Sequence, residues 1–351
     1  MATEERMLSL RLSAVLALIA WPLSAQRVLQ PFKEIPAPGI ANAVSMGSTR
    51  CDSHGDIYIR IASAPDLTVQ LLTRIGRDGS IATFNPEKVT DPALQGWLFL
   101  DFAVTGDAVW LLAARRSDGS YILRFSLQGD YKGVLKLEAD FYPEQFAVFD
   151  AGDFLISGTE RKGRGANEQF RAVTAMFDKH GKFLKRIELD EEVKPGEKTP
   201  ASAQPYLEVS SPITLGTAES YGGEIYVLRA TASPVLFVIS SAGTLARRFV
   251  LEPPSPDSRI GAMRVAQGQI AVEFVKPAPG AKQSGAEGPV LYAFSGSVYV
   301  VYDAFHGDKL ADYTRAPGLL GSFACFDGRG GFDFLGEAES GTRKIIRASA
   351  N

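Results

Sequence analysis

Apolar and polar residues alternate along most of the chain in short segments, which glycine-containing turns or loops separate. The segment DIYIRI at 56–61 and the segment LTVQLLTRI at 67–75 show this alternation, and both are rich in β-branched residues. Alternation with a period of two predicts strands. No comparable helical period occurs, so the pattern predicts an all-β protein.

One unit of four such segments recurs along the chain. Each unit has a strand, a tight glycine turn, a second strand, a variable loop, a third strand, another glycine turn and a fourth strand. The units begin near Ser45, Leu98, Glu144, Pro212, Ile260 and Leu320. Such a repeat is typical of β-propellers, whose blades hide their sheet edges by radial repetition. The sequence therefore predicts a six-bladed β-propeller of four-stranded antiparallel blades.

The last unit has only three strands, LGSFACF, GFDFLG and TRKIIRA. Residues 27–35 (RVLQPFKEI) precede the first unit and have strand-like character. We expect this N-terminal segment to supply the missing outer strand of the last blade and so to close the ring.

A signal peptide is predicted at residues 1–25. The apolar run LSAVLALIAW at 12–21 follows Arg6 and Arg11 and precedes PLSA, which ends at Ala25. The alternative for this run is a buried N-terminal helix. Ten apolar residues are too few for a permanent membrane span. The predicted mature chain, 26–351, is a single propeller domain that is secreted or periplasmic and has no integral membrane span.

The segment Cys-Asp-Ser-His-Gly-Asp-Ile-Tyr-Ile at 51–59 resembles the core of the NHL repeat. The whole mature chain resembles six-bladed NHL or TolB-like propellers. Families with this fold range from scaffolds to lactonases and lyases, so the resemblance implies a fold and little chemistry.

The two cysteines, Cys51 and Cys325, end the innermost strands of the first and last blades, which become neighbours when the ring closes. Aligning the following strands pairs Asp52 with Asp327, so the cysteines are offset by one residue. Neighbouring blades face each other with opposite sheet faces, and side chains alternate faces, so this offset lets the two sulfurs meet. An oxidising compartment favours a disulfide, and two buried free thiols are the alternative.

Sequence signatures of common enzyme classes are absent. The chain lacks HExxH, CxxC, GxSxG, GxGxxG and Walker-type motifs, and 37 basic against 40 acidic residues do not indicate a nucleic-acid binder. Each of the three histidines, His54, His180 and His306, precedes a glycine in a predicted turn. We interpret them as turn residues, with metal ligation as the alternative.

Asp101 is a carboxylate in the middle of an apolar innermost strand, LFLDFAV. Together with Asp52 and Asp327 it is a candidate for lining the central channel, where it would hold a cation or act as a general base. In the structural alternative, Asp52 and Asp327 cap their own turns and Asp101 is hydrated.

Loop lengths distinguish the two faces of the predicted propeller. The first-to-second and third-to-fourth turns share one face and are short; we call this the short-turn face. The second-to-third loops and the blade connections share the other, the long-loop face, which holds the insertions at 85–97, 158–168, 190–211 and 276–289. Long loops commonly carry function.

The predicted topology brings basic residues of two neighbouring blades to the long-loop face, where they are expected to form one patch: Arg115, Arg116, Arg161, Lys162 and Arg164. Guanidinium groups suit carboxylate or phosphate ligands, and a solvated loop without a partner is the alternative.

The sequence therefore favours a secreted or periplasmic binding module whose long-loop face holds an anionic protein, polysaccharide or small molecule. The alternative is a channel-centred hydrolase or lyase that uses carboxylates and a divalent cation; otherwise no cofactor is predicted. A passive structural protein is a third hypothesis. In the binding module, charge reversal of the basic residues should abolish function and Asp101→Asn should be harmless. The enzyme hypothesis predicts the opposite results for these two changes.

Overall fold

The computed structural model describes residues 26–41, 43–63, 70–85, 98–115, 119–162, 169–189, 218–229, 234–277, 294–338 and 341–350. The predicted signal peptide, residues 1–25, lies outside the described residues. Every regular element in the described ranges is a β-strand, as the period-two pattern predicts. No helix in those ranges is long and apolar enough to cross a membrane.

A long first strand, β1 (Arg27–Ala41), precedes sixteen strands that form four separate sheets of four strands each within the described residues. Strands that follow one another in sequence are antiparallel neighbours in each sheet. The four sheets consist of β2 (Ala43–Cys51), β3 (Ile57–Ser63), β4 (Gln70–Ile75) and β5 (Ile81–Phe84); β6 (Leu98–Val104), β7 (Ala108–Arg115), β8 (Gly119–Ser126) and β9 (Tyr131–Leu137); β10 (Tyr142–Val148), β11 (Phe154–Lys162), β12 (Gln169–Phe177) and β13 (Phe183–Arg186); β14 (Ala218–Tyr221), β15 (Glu224–Arg229), β16 (Val235–Ser240) and β17 (Leu245–Val250).

The remaining strands form one eight-stranded sheet with β1 inside it. These strands are β18 (Arg259–Ala266), β19 (Gln269–Pro277), β20 (Phe294–Asp303), β21 (Lys309–Arg315), β22 (Ser322–Phe326), β23 (Gly331–Glu337) and β24 (Thr342–Ser349). The order is β18-β19-β20-β21-β1-β24-β23-β22. β1 runs antiparallel to β24 from Gln30 onward, and Arg27 to Leu29 run parallel to β21. The N-terminal strand therefore completes the closing sheet, as predicted.

The predicted count of six separate blades needs correction. The described residues form four separate four-stranded sheets, and the strands expected to form the fifth and sixth blades belong to the single eight-stranded sheet. The physical reason is the pairing at the start of β1. Arg27 to Leu29 pair with Tyr313 to Arg315 of β21 before the strand reaches β24, and this pairing joins the two sets of strands into one sheet.

The first strands of the repeating units surround a common centre. β2, β6, β10, β14, β18 and β22 contact one another in that cyclic order, and β22 returns to β2. Apolar side chains fill the space between neighbouring sheets; the edge-on contact of Trp110 with Phe154, at 5.5 Å between ring centroids, joins the second sheet to the third. The protein is thus an all-β propeller with four-stranded antiparallel blades.

A disulfide joins Cys51 of β2 to Cys325 of β22, with 5.7 Å between the two Cα atoms. The predicted bond is confirmed, and the alternative of two free thiols is wrong. The bond links the first and last of the innermost strands across 274 residues of sequence. It lies at the position where the ring closes.

Removing this bond is expected to lower the free energy of unfolding by about 2 to 4 kcal/mol, because the cross-link restricts the unfolded chain over a very long loop. The variant is Cys51→Ser combined with Cys325→Ser, measured by urea unfolding of the oxidised proteins. Wild type unfolded with a reductant present serves as a second measure of the same loss. Equal unfolding midpoints for all three samples would contradict the prediction.

Candidate functional site

A buried ion pair lies at the centre of the ring, between Arg50 of β2 and Asp101 of β6. The Arg50 Nη2 atom is 2.9 Å from Asp101 Oδ2 and 3.2 Å from Oδ1. Arg50 also donates to the carbonyl of Ala218 in β14, and Asp101 accepts the Phe146 N–H of β10 at 3.1 Å. Only 2% of the Asp101 side chain is exposed. This pair therefore connects four innermost strands.

A second ion pair connects the remaining innermost strands. Arg264 of β18 donates through Nη1 to Glu219 Oε1 of β14 at 3.0 Å and through Nη2 to Thr49 Oγ1 of β2 at 2.6 Å. The same guanidinium donates to the Phe323 and Ala324 carbonyls of β22. We call these two pairs and their partners the central network, and it joins all six innermost strands.

Two of the carbonyls that accept from arginines belong to β-bulges of the innermost strands. Leu100 has no partner in the register between β6 and β7, and Ala324 has none between β22 and β23. Arg60 of β3 donates to the Leu100 carbonyl, and Arg264 donates to the Ala324 carbonyl. A bulge frees the backbone of the extra residue from the ladder. Here the freed carbonyls accept hydrogen bonds from half-buried Arg60 and buried Arg264.

Desolvation shifts the titration of the second ion pair. Burial raises the pKa of the Glu219 carboxyl, although Arg264, Arg50 and the hydrogen bond from the Val265 N–H act in the opposite direction. Burial also lowers the pKa of Arg264, against the attraction of Glu219. Removing one partner of a buried ion pair strongly lowers stability, because the remaining charge is then buried without compensation.

The structure separates the three carboxylates that the sequence predicts to line the channel. Asp101 lies in the central network, whereas Asp52 and Asp327 cap turns. Asp52 Oδ1 accepts the His54 N–H at 2.9 Å and the Asp56 N–H at 3.0 Å. Asp327 Oδ1 accepts two backbone N–H groups in the same pattern, at 2.7 and 2.8 Å. Both therefore satisfy their own turns, as in the structural alternative.

The histidines lie in turns of the same kind. The backbone N–H groups of His54, His180 and His306 donate to Asp52, Asp178 and Asp303, respectively. In the part of the chain that the structure describes, no three His, Cys, Asp or Glu side chains are arranged to hold a metal ion.

Glu144 is a half-buried carboxyl group that sequence reasoning missed. It lies at a bulge of β10, between Pro143 and Gln145, and accepts a hydrogen bond from the Thr159 hydroxyl of β11. Burial raises its pKa, and the Thr159 hydrogen bond opposes this shift. In the sequence it appears as an ordinary polar residue at the start of a strand, so only its position in the repeat could have indicated partial burial.

The predicted basic residues lie at or beyond the ends of two second strands. Arg115 ends β7, and Arg161 and Lys162 end β11. The innermost strands of these two sheets, β6 and β10, are in contact. The backbone therefore brings Arg115, Arg161 and Lys162 to neighbouring sheets on the same face; Arg116 and Arg164 lie outside the described residues.

Comparison with protein families found no family model that matches the chain and no match among the curated proteins. Solved structures with a similar course of the chain include a protein of unknown function from Bacteroides caccae, with 12% identity over 81% of this chain and 94% of that one, at a TM-score of 0.44. The Dos1 propeller has 10% identity over 92% and 95% of the two chains, with a TM-score of 0.43. YCF48 bound to a D1 peptide has 12% identity over 95% and 100%, also with a TM-score of 0.43. At these identities and scores the likenesses carry no functional argument.

Proposed function

We propose that the protein is a secreted or periplasmic propeller that acts as a binding module and holds an anionic partner on its long-loop face. One observation carries the proposal: the long segments between strands all occur where the topology leads to one face. The opposite face has short, hydrogen-bonded turns, such as those closed by Gly55 N–H to Asp52 C=O and Gly129 N–H to Ser126 C=O.

The strand bounds specify this asymmetry. Second-to-third connections and blade connections include the stretches 64–69, 86–97, 163–168, 190–217 and 278–293, which lie outside the described residues. The insertion expected at 158–168 is shorter than the sequence suggests, because β11 continues to Lys162. Turns between first and second strands, by contrast, span a few residues, as between Val104 and Ala108. A partner that needs a large or adaptable surface therefore finds it on the long-loop face.

Charge favours an anionic partner. Arg115, Arg161 and Lys162 reach the long-loop face from two adjacent sheets, and Arg116 and Arg164 follow them in sequence. Arginine binds carboxylate and phosphate groups through paired hydrogen bonds. The central network, in contrast, pairs its cations internally and offers no surplus charge to a ligand.

We further propose that the eight-stranded sheet acts as two blades and that the propeller is six-bladed. The cyclic contact of six innermost strands supports this count, and the β1–β21 pairing that unites the sheet covers only three residue pairs. Similarity to the NHL or TolB-like type stays a prediction.

Export is supported by the disulfide, which is typical of oxidising compartments, and by the predicted signal peptide at 1–25.

The channel-centred hydrolase or lyase stays a prediction as well. Its candidate base, Asp101, accepts hydrogen bonds from Arg50 and from the Phe146 N–H, so its carboxylate oxygens already have partners within the ring. For this hypothesis, a native mass spectrum should show a bound species that a chelator removes.

Reversing the charge of Arg115, Arg116 and Arg164 to glutamate is expected to weaken the binding of fluorescent poly-L-glutamate at least tenfold, because three favourable charges become repulsive. Binding is measured by fluorescence polarisation at low salt, where screening is weak. The matched control reverses Arg77, Lys179 and Arg329, which are exposed residues of the short-turn face. An equal loss in both triple variants would show a nonspecific effect of net charge and contradict the proposal.

A further inference from the structure

Two of the exposed large apolar side chains begin neighbouring innermost strands on the long-loop face. Leu98 is the first residue of β6 and Tyr142 the first residue of β10, with 50% and 47% of their surface exposed, respectively. Both strands are innermost and contact each other. The two side chains therefore belong to neighbouring sheets at the same end of the ring. We call them the apolar rim.

The strand register places the predicted basic positions beside the apolar rim. Leu98 pairs with Ala114, and Arg115 is the next residue along β7. Tyr142 pairs with Thr159, and β11 continues from there to Arg161 and Lys162. Each of the two sheets thus presents an apolar position near the axis and basic positions farther along its second strand. The same arrangement occurs twice, side by side.

The central network lies farther along the same innermost strands than the apolar rim. Asp101 follows Leu98 by three residues in β6, and Phe146, whose N–H Asp101 accepts, follows Tyr142 by four residues in β10. Because the charges of the central network are already paired, a ligand at the rim gains apolar contact near the axis and charge contact only at the strand ends. A ligand that fits must therefore be apolar at one point and acidic on both sides of it.

We propose that the long-loop face binds an acidic peptide segment of a partner protein, with an aromatic or aliphatic side chain packed against Leu98 and Tyr142 and flanking carboxylates at the strand-end basic positions. This inference rests on the proposed binding function and names its class of partner. A peptide supplies both groups along one chain, whereas an anionic polysaccharide has no side chain for the apolar rim. Apolar anchors surrounded by polar contacts commonly dominate such interfaces.

The test uses two fluorescein-labelled heptapeptides, each with three acidic residues on either side of a central phenylalanine or a central serine. Their binding to the mature chain is measured by fluorescence polarisation. We expect the phenylalanine peptide to bind about tenfold more tightly, which corresponds to partial burial of one aromatic side chain. Leu98→Ser and Tyr142→Ser should each reduce this preference. Val250→Ser, which changes an exposed apolar residue of the outer strand β17, should leave it unchanged.

The possible outcomes separate the inference from the proposed function. If the two peptides bind equally and the triple charge reversal weakens both, the anionic binding face stands and the apolar anchor is wrong. If neither peptide nor poly-L-glutamate binds, the proposed function fails and the inference fails with it. If phosphatidylglycerol vesicles bind in a manner that depends on Leu98 and Tyr142 while the phenylalanine peptide does not bind, the occupant is a membrane surface and the inference is overturned. Circular dichroism spectra matching wild type exclude unfolding of the serine variants.

Discussion

Replacing Asp101 with asparagine is expected to lower the free energy of unfolding by about 3 to 5 kcal/mol, because the Arg50 cation then stays buried without its counter-charge. The ion pair measures 2.9 Å, and both side chains are almost fully buried. Asn has nearly the shape of Asp, so the loss comes from charge and hydrogen bonding instead of packing. Urea unfolding followed by circular dichroism measures it. Even in a binding module, Asp101→Asn is therefore expected to lower stability.

A matched control lies on the surface of the same sheet. Asp107 and Arg124 form an exposed ion pair at 2.8 Å, and such pairs contribute at most about 1 kcal/mol. Asp107→Asn should therefore shift the unfolding midpoint far less than Asp101→Asn. If the two variants lose the same stability, the central ion pair does not have the importance that its burial indicates.

A double variant separates the lost charge from the lost contacts. Arg50→Met combined with Asp101→Leu removes both charges, so neither partner is left unpaired in the ring. Replacing a whole buried ion pair with apolar residues is often close to neutral, and the double variant should recover most of the loss seen in Asp101→Asn. The Ala218 carbonyl loses its donor in this variant, so some loss should remain.

This expectation changes how the enzyme hypothesis has to be tested. Loss of an activity in Asp101→Asn would not identify a catalytic base, because the same change weakens the centre of the fold. A catalytic role would require loss of activity in a sample whose unfolding midpoint shows that it is folded under the assay conditions.

Local periodicity made most of the strands predictable. The segment YKGVLKL alternates within a few residues and so records the two faces of a sheet, whereas LFLDFAV and EIYVLR are short, mostly apolar runs typical of strands buried on both faces. The disulfide followed from the same principle, because the one-residue offset of Cys51 and Cys325 is a statement about which face each side chain occupies. The closing strand followed from counting, since the last unit lacks an outer strand.

The central network was not predictable in this way. Arg50 and Arg264 are single polar residues within strands, and their partners lie 45 to 215 residues away on other innermost strands. The bulges that free the Leu100 and Ala324 carbonyls leave no signature in the alternation. Asp101 could be recognised as unusual, but the cation beside it depends on the closure of the ring. The parallel pairing of Arg27 to Leu29 with β21 is likewise a tertiary contact with no local pattern.

Deleting residues 27–37 from the mature chain is expected to abolish cooperative folding, the largest effect predicted for this protein. β24 loses its antiparallel partner, and β21 loses its parallel neighbour. Leu29, Ile35 and Ala37 are buried, and the two larger side chains alone contribute roughly 1.5 to 3 kcal/mol each. A domain has only about 5 to 15 kcal/mol of net stability, so the loss of these contacts and of a strand's hydrogen bonds consumes much of it. Urea unfolding should show a broad, non-cooperative change.

Two point variants on β1 test whether this effect comes from ring closure or only from shortening the chain. Ile35→Ser places a hydroxyl in the buried position and should cost several kcal/mol, whereas Phe32→Ser changes a side chain that is 65% exposed and should cost little. Adding a synthetic peptide of residues 26–41 to the deleted chain should restore a cooperative transition, because the vacant edge of β24 can pair with a strand supplied separately. A deleted chain that unfolds like wild type without the peptide would show that the disulfide between β2 and β22 is enough to close the ring.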